Sequence, residues 1–345
     1  MLRARRLAAL LALLAPFAAA PARAQSDLKT PYRLKVVLHV ARHRLLTEIF
    51  RQRLERELGD GLQGELGELG RVEVVRDHPK LAEVLRDGLE RALDRWTERS
   101  DIKTHFVLLD FSGVHYELQA RQHDGITGRP SPVVRHDRTR DRAFVAKLAA
   151  QLVKQDFGVV GTVQGEPDAG KVVKVELRGG GLDGPLGRWV RPGDVFVLVQ
   201  APPGGGPGRP VPWAFVQVKD APAEGLCTCR LFHRYELPRA AGLRCLQVGT
   251  VQAPLRLKFM REVSSPAGPR LLPLDTVLSV EARHHGFSGE EGTPRIPTDA
   301  GRAIDTGREG AKGLFNNVAF VKVYTGSGEL KAQVPVALVT DRQVV

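Results

Sequence analysis

The stretch that decides the fold of the first part of the chain is THFVLLDFSGVHYELQARQHDGITGR, which runs from Thr104 to Arg129. Its residues Phe106 to Leu109 form a continuous apolar run, as expected of a strand that is covered on both faces. The segment after this run alternates between apolar and polar residues, which predicts a second strand with one face in water. The DGITG sequence then supplies turn residues.

The polar side of the second strand is the first candidate site. The residues of this side are His115, Glu117, Gln119, Arg121 and His123. A strand at the edge of a sheet is a template for strand addition by a partner. We therefore predict an interaction edge at His115, Glu117 and Arg121, or at the turn that contains Ile126.

Strand patterns and helix patterns flank this stretch on both sides. A strand is predicted from Tyr32 to Val40, followed by a helix with Leu45, Ile49 and Leu58 among its inward residues and by a glycine-punctuated loop at 60–70. After the stretch, residues 144–153 follow the helical period of 3.6. The order of elements predicts an α/β sandwich domain over residues 27–156.

Two further domains are predicted beyond residue 156. Residues 157–240 contain five short β segments separated by Gly and Pro loops, which favours a small five-stranded β-barrel. Residues 246–345 contain further strand patterns that indicate a carboxy-terminal β-sandwich. The predicted fold class is therefore α+β multidomain.

The first 24 residues have the pattern of an export signal. A basic start is followed by an apolar segment that Pro16 interrupts, and Ala22, Arg23 and Ala24 fit a cleavage site with small residues. We predict cleavage after Ala24 and a periplasmic or extracellular protein. No later run is apolar enough to cross a bilayer, so no transmembrane span is expected after the signal is removed.

The charge of the chain leaves two alternatives open. Of its 51 basic residues, four lie in the predicted signal, so the mature chain has 47 basic and 39 acidic residues and a net charge of +8. This excess indicates either an arginine-rich solvated surface or affinity for an anionic partner such as an acidic glycan or lipid head group. No compact basic run with interleaved aromatic residues is present, so nucleic acid is not an expected partner.

The sequence contains no arrangement of residues that indicates catalysis, a cofactor or a bound metal. GEPDAGK, at 165–171, resembles a phosphate loop, but Val172 stands where a Ser or Thr is needed and a strand follows instead of a helix. The histidines of the first domain are scattered in sequence, which favours separate polar roles over a metal site. They are His39, His43, His78, His105, His115, His123 and His136.

Three cysteines, Cys227, Cys229 and Cys245, are too few for a disulfide scaffold. Cys227 and Cys229 are two apart on a predicted strand and face the same side. In an oxidising compartment, either of them can pair with Cys245 across a neighbouring strand. Buried free thiols are the alternative.

Two resemblances add to this interpretation. The helix T-E-I-F-x-x-x-L-x-x-x-L, the strand Y-E-L-Q-A-R-x-x-D-G-I-T-G and the helix F-V-A-K-L-A-A-Q-L-V resemble the amino-terminal domain of TolB, a periplasmic translocation protein. A TolB-like domain followed by a small barrel with V-x-x-G-D-x-F-x-V is similar to the order in the flagellar assembly protein T family, whose members are periplasmic structural proteins. The carboxy-terminal region resembles immunoglobulin-like or prealbumin-like modules by class.

The sequence therefore favours a non-catalytic exported protein of the cell envelope that acts as an interaction or structural module. Its expected partners are envelope proteins. Two alternatives stay open. One is a secreted hydrolase or metal-dependent enzyme with a site between domains, which requires at least three of the histidines to converge. The other is a binder of anionic envelope polymers, which requires arginines and lysines to gather on one face.

Overall fold

The computed structural model describes residues 27–250 except 185, 203–205, 207, 234–236 and 238. Beyond residue 250 it describes only the segments 256–258, 260–263, 270–273, 277–283, 296–297, 303–305, 319–325 and 327–336. The predicted signal and its cleavage site at Ala24 lie outside these residues. The part of the chain that is described contains α-helices, an open sheet and a closed barrel, and this confirms the predicted mixture of α and β structure.

The first unit, which we call the α/β unit, is built on a six-stranded sheet. Its strands are β1 (Tyr32–Val40), β2 (Gly70–Val75), β3 (Ile102–Phe111), β4 (Tyr116–Asp124), β5 (Arg129–Pro130) and β6 (Arg135–Thr139). The order is β2-β1-β3-β4-β5, and β6 also pairs with β4. β1 is parallel to β2 and β3, whereas the other pairs are antiparallel. The helices are α1 (Glu48–Leu66), α2 (Leu81–Asp87), α3 (Leu89–Asp94) and α4 (Val145–Asp156).

Helix α1 is longer than the sequence pattern predicts at one end and shorter at the other. It begins after Thr47, whose hydroxyl accepts a hydrogen bond from the amide of Phe50 at 3.3 Å. The predicted loop at 60–70 is wrong for residues 60–66, which belong to α1. The helix continues through them because Leu62 and Leu66 extend its buried stripe. Burial of a leucine stabilises by about 1.5–3 kcal/mol, more than the roughly 1 kcal/mol that a helical glycine costs. The predicted inward positions of Leu45 and Ile49 are also wrong, since these side chains are 43% and 80% exposed.

One residue of α1 covers the outer edge of the sheet. Strand β2 is the edge strand, and the side-chain amide of Gln63 lies along its free side. The Gln63 oxygen accepts from the amide of Val72 at 3.0 Å, and its nitrogen donates to the carbonyl of Gly70 at 3.0 Å. The side chain thus makes the two bonds that an added strand would make there.

The second unit is a closed barrel of six strands. They are β7 (Val160–Gln164), β8 (Val172–Leu177), β9 (Asp194–Gln200), β10 (Arg209–Val218), β11 (Leu226–His233) and β12 (Arg244–Thr250). Their order around the barrel is β10-β11-β8-β7-β12-β9. The five predicted segments correspond to β7–β11, but the prediction of five strands is wrong, because β12 pairs with both β7 and β9 and completes the barrel.

Strand segments continue beyond the barrel. They are β13 (Arg256–Lys258), β14 (Met260–Val263), β15 (Arg270–Pro273), β16 (Val277–Arg283), β17 (Ile296–Pro297), β18 (Ala303–Asp305), β19 (Ala319–Thr325) and β20 (Leu330–Val336). β17, β16, β19 and β20 form a four-stranded sheet, while β13–β18 and β14–β15 are separate pairs. The four strands predicted in this region are present in whole or in part, and their packing as a sandwich stays a prediction.

Candidate functional site

The predicted interaction edge on β4 is not an edge in the structure. β4 pairs with β3 on one side and with β5 and β6 on the other, so its backbone has no free side over most of its length. Glu117 and Gln119 are exposed, as the alternation predicts. His115 lies in the loop before β4, where its Nε2 accepts a hydrogen bond from Arg140 Nε at 3.0 Å. The prediction that a partner binds along β4 through backbone hydrogen bonds is therefore wrong.

Arg121, which the sequence places in water, is only 3% exposed. Its guanidinium donates to the carbonyl of Glu90 and to the carboxylate of Asp94, both at 2.8 Å, and to the carbonyl of Ser131 at 2.9 Å. Helix α3 lies over this half of the sheet and brings Glu90 and Asp94 to the arginine. Arg121 thus attaches α3 and the segment after β5 to β4.

The DGITG turn is packed against the barrel. Ile126 is 6% exposed and Thr127 is fully buried. A Cβ atom on Gly208, just before β10, would lie 2.0 Å from the carbonyl oxygen of Thr127, so only glycine fits at this contact. The Asp124 carboxylate holds the turn by accepting from the amide and hydroxyl of Thr127 at 2.9 and 2.5 Å. The turn that was predicted to meet a partner meets the second unit of its own chain.

A buried ion pair lies at the junction of the two units. Lys103 Nζ and Asp124 Oδ1 are 2.7 Å apart, and neither side chain is exposed. Burial opposes the charged carboxylate, yet the Lys103 ammonium and the bonds from Thr127 hold the pKa of Asp124 below its usual value. The ammonium also lies 5.3 Å from the ring centroids of Tyr32 and Phe157, which begin β1 and follow α4.

Backbone and side-chain bonds complete this junction. The Tyr32 hydroxyl donates to the carbonyl of Val160 and accepts from its amide, at 3.3 and 2.8 Å. Arg178, which follows β8, donates to the carbonyl of Pro31 at 3.0 Å. At the start of the described chain, Asp27 forms an ion pair with Arg244 of β12, and its carbonyl accepts from Gly179 at 3.0 Å. The α/β unit and the barrel consequently share one hydrophobic core.

Asp156, the last residue of α4, is a buried carboxyl group with few partners. Its Oδ2 accepts from the Ser131 hydroxyl at 3.0 Å, whereas Oδ1 has no hydrogen bond and lies 3.8 Å from Arg135 Nε. Burial raises the pKa of Asp156 to about 6, which Arg135 and Ser131 only partly offset. The sequence pattern does not reveal this group, since an aspartate at a helix end is usually solvated.

The histidines have separate structural roles. Nε2 of His105 bonds Oε1 of Gln122 at 2.8 Å, and burial lowers the pKa of His105 to about 3. His123 stacks on Trp96 at 3.9 Å, and burial lowers its pKa to about 4. His43 and His78 accept hydrogen bonds from backbone amides two residues later. Within the described ranges, no three His, Cys, Asp or Glu side chains are arranged to hold a metal ion.

The three cysteines are buried inside the barrel and are free thiols in the structure. Cys227 and Cys229 lie on β11 and Cys245 on β12, and these strands are not neighbours around the barrel. The assumption of pairing across a neighbouring strand is therefore wrong. Burial raises the pKa of Cys227 to about 12 and raises that of the other two thiols as well, which disfavours the reactive thiolate.

The 165–171 segment is a turn between β7 and β8, as expected. The amide of Lys171 donates to the carbonyl of Asp168 at 2.9 Å, and the amide of Val172 donates to the Asp168 carboxylate at 2.7 Å. Asp168 thus accepts hydrogen bonds from amides that, in a phosphate-binding loop, would donate to the bound phosphate.

A long groove separates α1 from α4 on the outer face of the α/β unit. One part has a volume of about 710 Å³ and the adjoining part about 390 Å³. Glu57, Ala143 and Ala146 line both parts. Beyond them, the groove extends from Ile49 at one end to the ion pair of Glu65 and Lys154, 2.6 Å apart, at the other. The sequence pattern does not reveal this groove, because the groove depends on how two helices that are distant in the sequence are spaced.

Comparisons with known proteins leave the family open. No protein-family model and no curated protein matches the chain. Among solved structures, TolB from Acinetobacter baumannii matches with 9% sequence identity, 91% coverage of this chain, 96% coverage of that chain and a TM-score of 0.22. A TM-score this low does not establish a common fold, so the predicted TolB resemblance stays a prediction. In the described part of the chain, no helix has the length and apolar character that crossing a bilayer requires.

Proposed function

We propose that the protein is a non-catalytic, exported component of the cell envelope that binds another envelope protein through the groove between α1 and α4. The groove carries this proposal. Its lining contains small residues, Gly61, Ala143, Ala146 and Ala150, which let a partner approach closely. Such a surface suits an amphipathic helix laid into a groove.

The charges of the groove specify the partner further. Glu57 and Glu65 lie on the α1 wall, and Lys147 and Lys154 on the α4 wall. Glu65 pairs with Lys154 and Glu57 pairs with Arg53, both at 2.6 Å, so a helix that fits has an acidic residue facing the exposed Lys147.

The enzyme alternative requires at least three histidines to converge, and His43, His78, His105, His115 and His123 make the separate contacts described above. A specific measurement separates the two functions. Metal analysis of the purified protein is expected to find less than stoichiometric metal, and a tightly bound stoichiometric ion would favour the metal-dependent enzyme.

The groove is tested by site-specific photo-crosslinking in cells that export the full chain. A crosslinker at Lys147 or Gln151, both exposed in the groove, is expected to trap a discrete envelope protein. A crosslinker at Arg91, exposed on α3, is the control. Absence of adducts from the groove, or the same adducts from Arg91, would overturn the proposal.

A further inference from the structure

The end of the α/β unit that faces away from the barrel differs from the rest of its surface. Strand β1 leads from Tyr32, at the barrel, to Val40, roughly 26 Å away. Three loops meet at that far end: 41–47 after β1, 112–115 between β3 and β4, and 140–143 before α4. We call these loops, together with the exposed Ile49, the distal tip.

Side-chain contacts join the three loops into one surface. Arg140 of the third loop donates to His115 of the second at 3.0 Å. His43 of the first loop lies 4.9 Å, ring to ring, from Phe111 at the end of β3. Ile49 and Arg142 line the same part of the groove. The distal tip is therefore continuous.

The distal tip exposes large aliphatic side chains. Leu45 is 43% exposed, Val114 is 56% exposed and Ile49 is 80% exposed. Among the described residues of the α/β unit, the other large aliphatic side chain exposed to this extent is Leu85. Single exposed apolar residues are ordinary, but three on one protruding end indicate a contact surface.

Arginines lie between these aliphatic side chains. Arg42, Arg44, Arg140 and Arg142 are all exposed. Within the described ranges none of the four has a carboxylate partner, while Arg33, at the other end of β1, forms an ion pair with Asp101.

The acidic groups at this end do not cancel the positive charge. Glu48, which lies between the first loop and Ile49, is balanced by its ion pair with Arg76. The other two are Asp110 and Asp141, and each accepts a hydrogen bond from a backbone amide nearby, at 2.7 and 2.8 Å. Four arginines against two aspartates leave the distal tip positive.

From this combination we infer that the distal tip binds the surface of a membrane that contains anionic lipids. Arginines at such a surface meet phosphate head groups, and aliphatic side chains on protruding loops insert at the boundary with the acyl chains. A soluble polyanion would use the arginines but would give the exposed Leu45, Ile49 and Val114 no apolar environment. This inference rests on the proposed envelope location, because it needs a membrane in the same compartment.

The test is co-sedimentation of the full mature chain with vesicles of phosphatidylethanolamine and phosphatidylglycerol, compared with vesicles of phosphatidylcholine alone. We expect binding to the anionic vesicles that weakens as salt is added. Arg42→Gln with Arg44→Gln should weaken partitioning at least tenfold, since each basic residue near the surface contributes about fivefold. Leu45→Gln with Ile49→Gln should also weaken it.

Matched controls lie on other faces of the α/β unit. Arg71→Gln with Arg91→Gln removes two exposed charges, and Leu85→Gln removes one exposed aliphatic side chain. Both controls should bind vesicles like the wild type. Circular dichroism and thermal unfolding confirm that each variant is folded, and the substituted side chains are exposed, so folding should be retained.

Three outcomes would overturn the inference. The first is no binding of the wild type to anionic vesicles at low salt. The second is equal loss in tip and control variants, which would indicate general charge attraction. The third is full binding by the Leu45 and Ile49 variant together with complete competition by polyglutamate, which would indicate a polyanion site. Crosslinking in the groove can succeed in each case, so the envelope-protein proposal fails or survives separately.

Discussion

Replacement of Asp156 by asparagine tests the physical account of the buried carboxyl group at the end of α4. The pKa of this carboxyl is about 6 in the folded protein against an ordinary value of 3.8, because the group is buried. The unfolded chain therefore releases the proton at a lower pH than the folded chain does. The contribution of Asp156 to the stability of the wild type is therefore largest below pH 3.8. It falls as the pH rises towards 6 and stays constant at higher pH.

The difference between the two pKa values, about 2.2, corresponds to about 3 kcal/mol of lost stability above pH 7. Asparagine has nearly the same shape and does not titrate, so it avoids this loss. By the same linkage, the advantage of Asp156→Asn over the wild type should grow by roughly 1–2 kcal/mol between pH 5 and pH 8.

The assay is urea unfolding of the full mature chain at several pH values, followed by tryptophan fluorescence. Asp137→Asn is the control, because Asp137 is an exposed aspartate on β6. Its effect should stay within about 0.5 kcal/mol at every pH. A stability difference for Asp156→Asn that does not change with pH, or a variant that becomes less stable than wild type as the pH rises, would refute the reasoning. Asp156 would then be ionised and paired with Arg135.

Three further predictions concern the ion pair, the sheet edge and the barrel. In urea unfolding, Lys103→Met should destabilise the protein by about 3–5 kcal/mol, because it leaves Asp124 buried and without its ion-pair partner. The control is Lys35→Met, which removes the partly exposed Lys35–Glu73 pair and should cost less than about 1 kcal/mol. Gln63→Ala should uncover the outer edge of β2 and increase self-association in analytical ultracentrifugation, and an unchanged monomer fraction would argue against this role. Titration of the denatured, unreduced protein should count three thiols; a count of one would restore the predicted bridge.

The alternation of apolar and polar residues predicts where the strands lie, but it does not establish which strand faces are exposed to solvent. Tyr116, Leu118 and Ala120 point into the core as predicted. Arg121 fails the same rule because α3, from a segment about 30 residues earlier, covers that half of the strand. Nothing within β4 itself signals this cover.

The buried ion pair could have been found by counting. A hairpin closed by Phe111 and Tyr116 places Lys103 directly opposite Asp124. The apolar run that marks the strand begins only at Phe106, so the polar residues before it were not recognised as part of the strand.

Contacts between distant segments account for most of the other differences. The burial of Ile126 depends on the barrel loop at Gly208, and the closing strand β12 becomes visible only when β7 and β9 are in place. The groove likewise depends on the distance between α1 and α4. The periodicity of a sequence indicates which face of one segment is buried, whereas each of these features depends on the contact between two segments.

The ion pair of Asp27 with Arg244 has a consequence for biogenesis. Cleavage after Ala24, as the sequence predicts, leaves only Gln25 and Ser26 ahead of a residue whose carbonyl and carboxylate are bound by the barrel. A signal peptidase needs an extended, accessible substrate, and the last strand of the barrel is made more than 200 residues later. Early cleavage leaves the barrel free to close around the new amino terminus. A precursor that folds first would instead hold Asp27, three residues past the predicted cleavage site, against the barrel before the signal is removed.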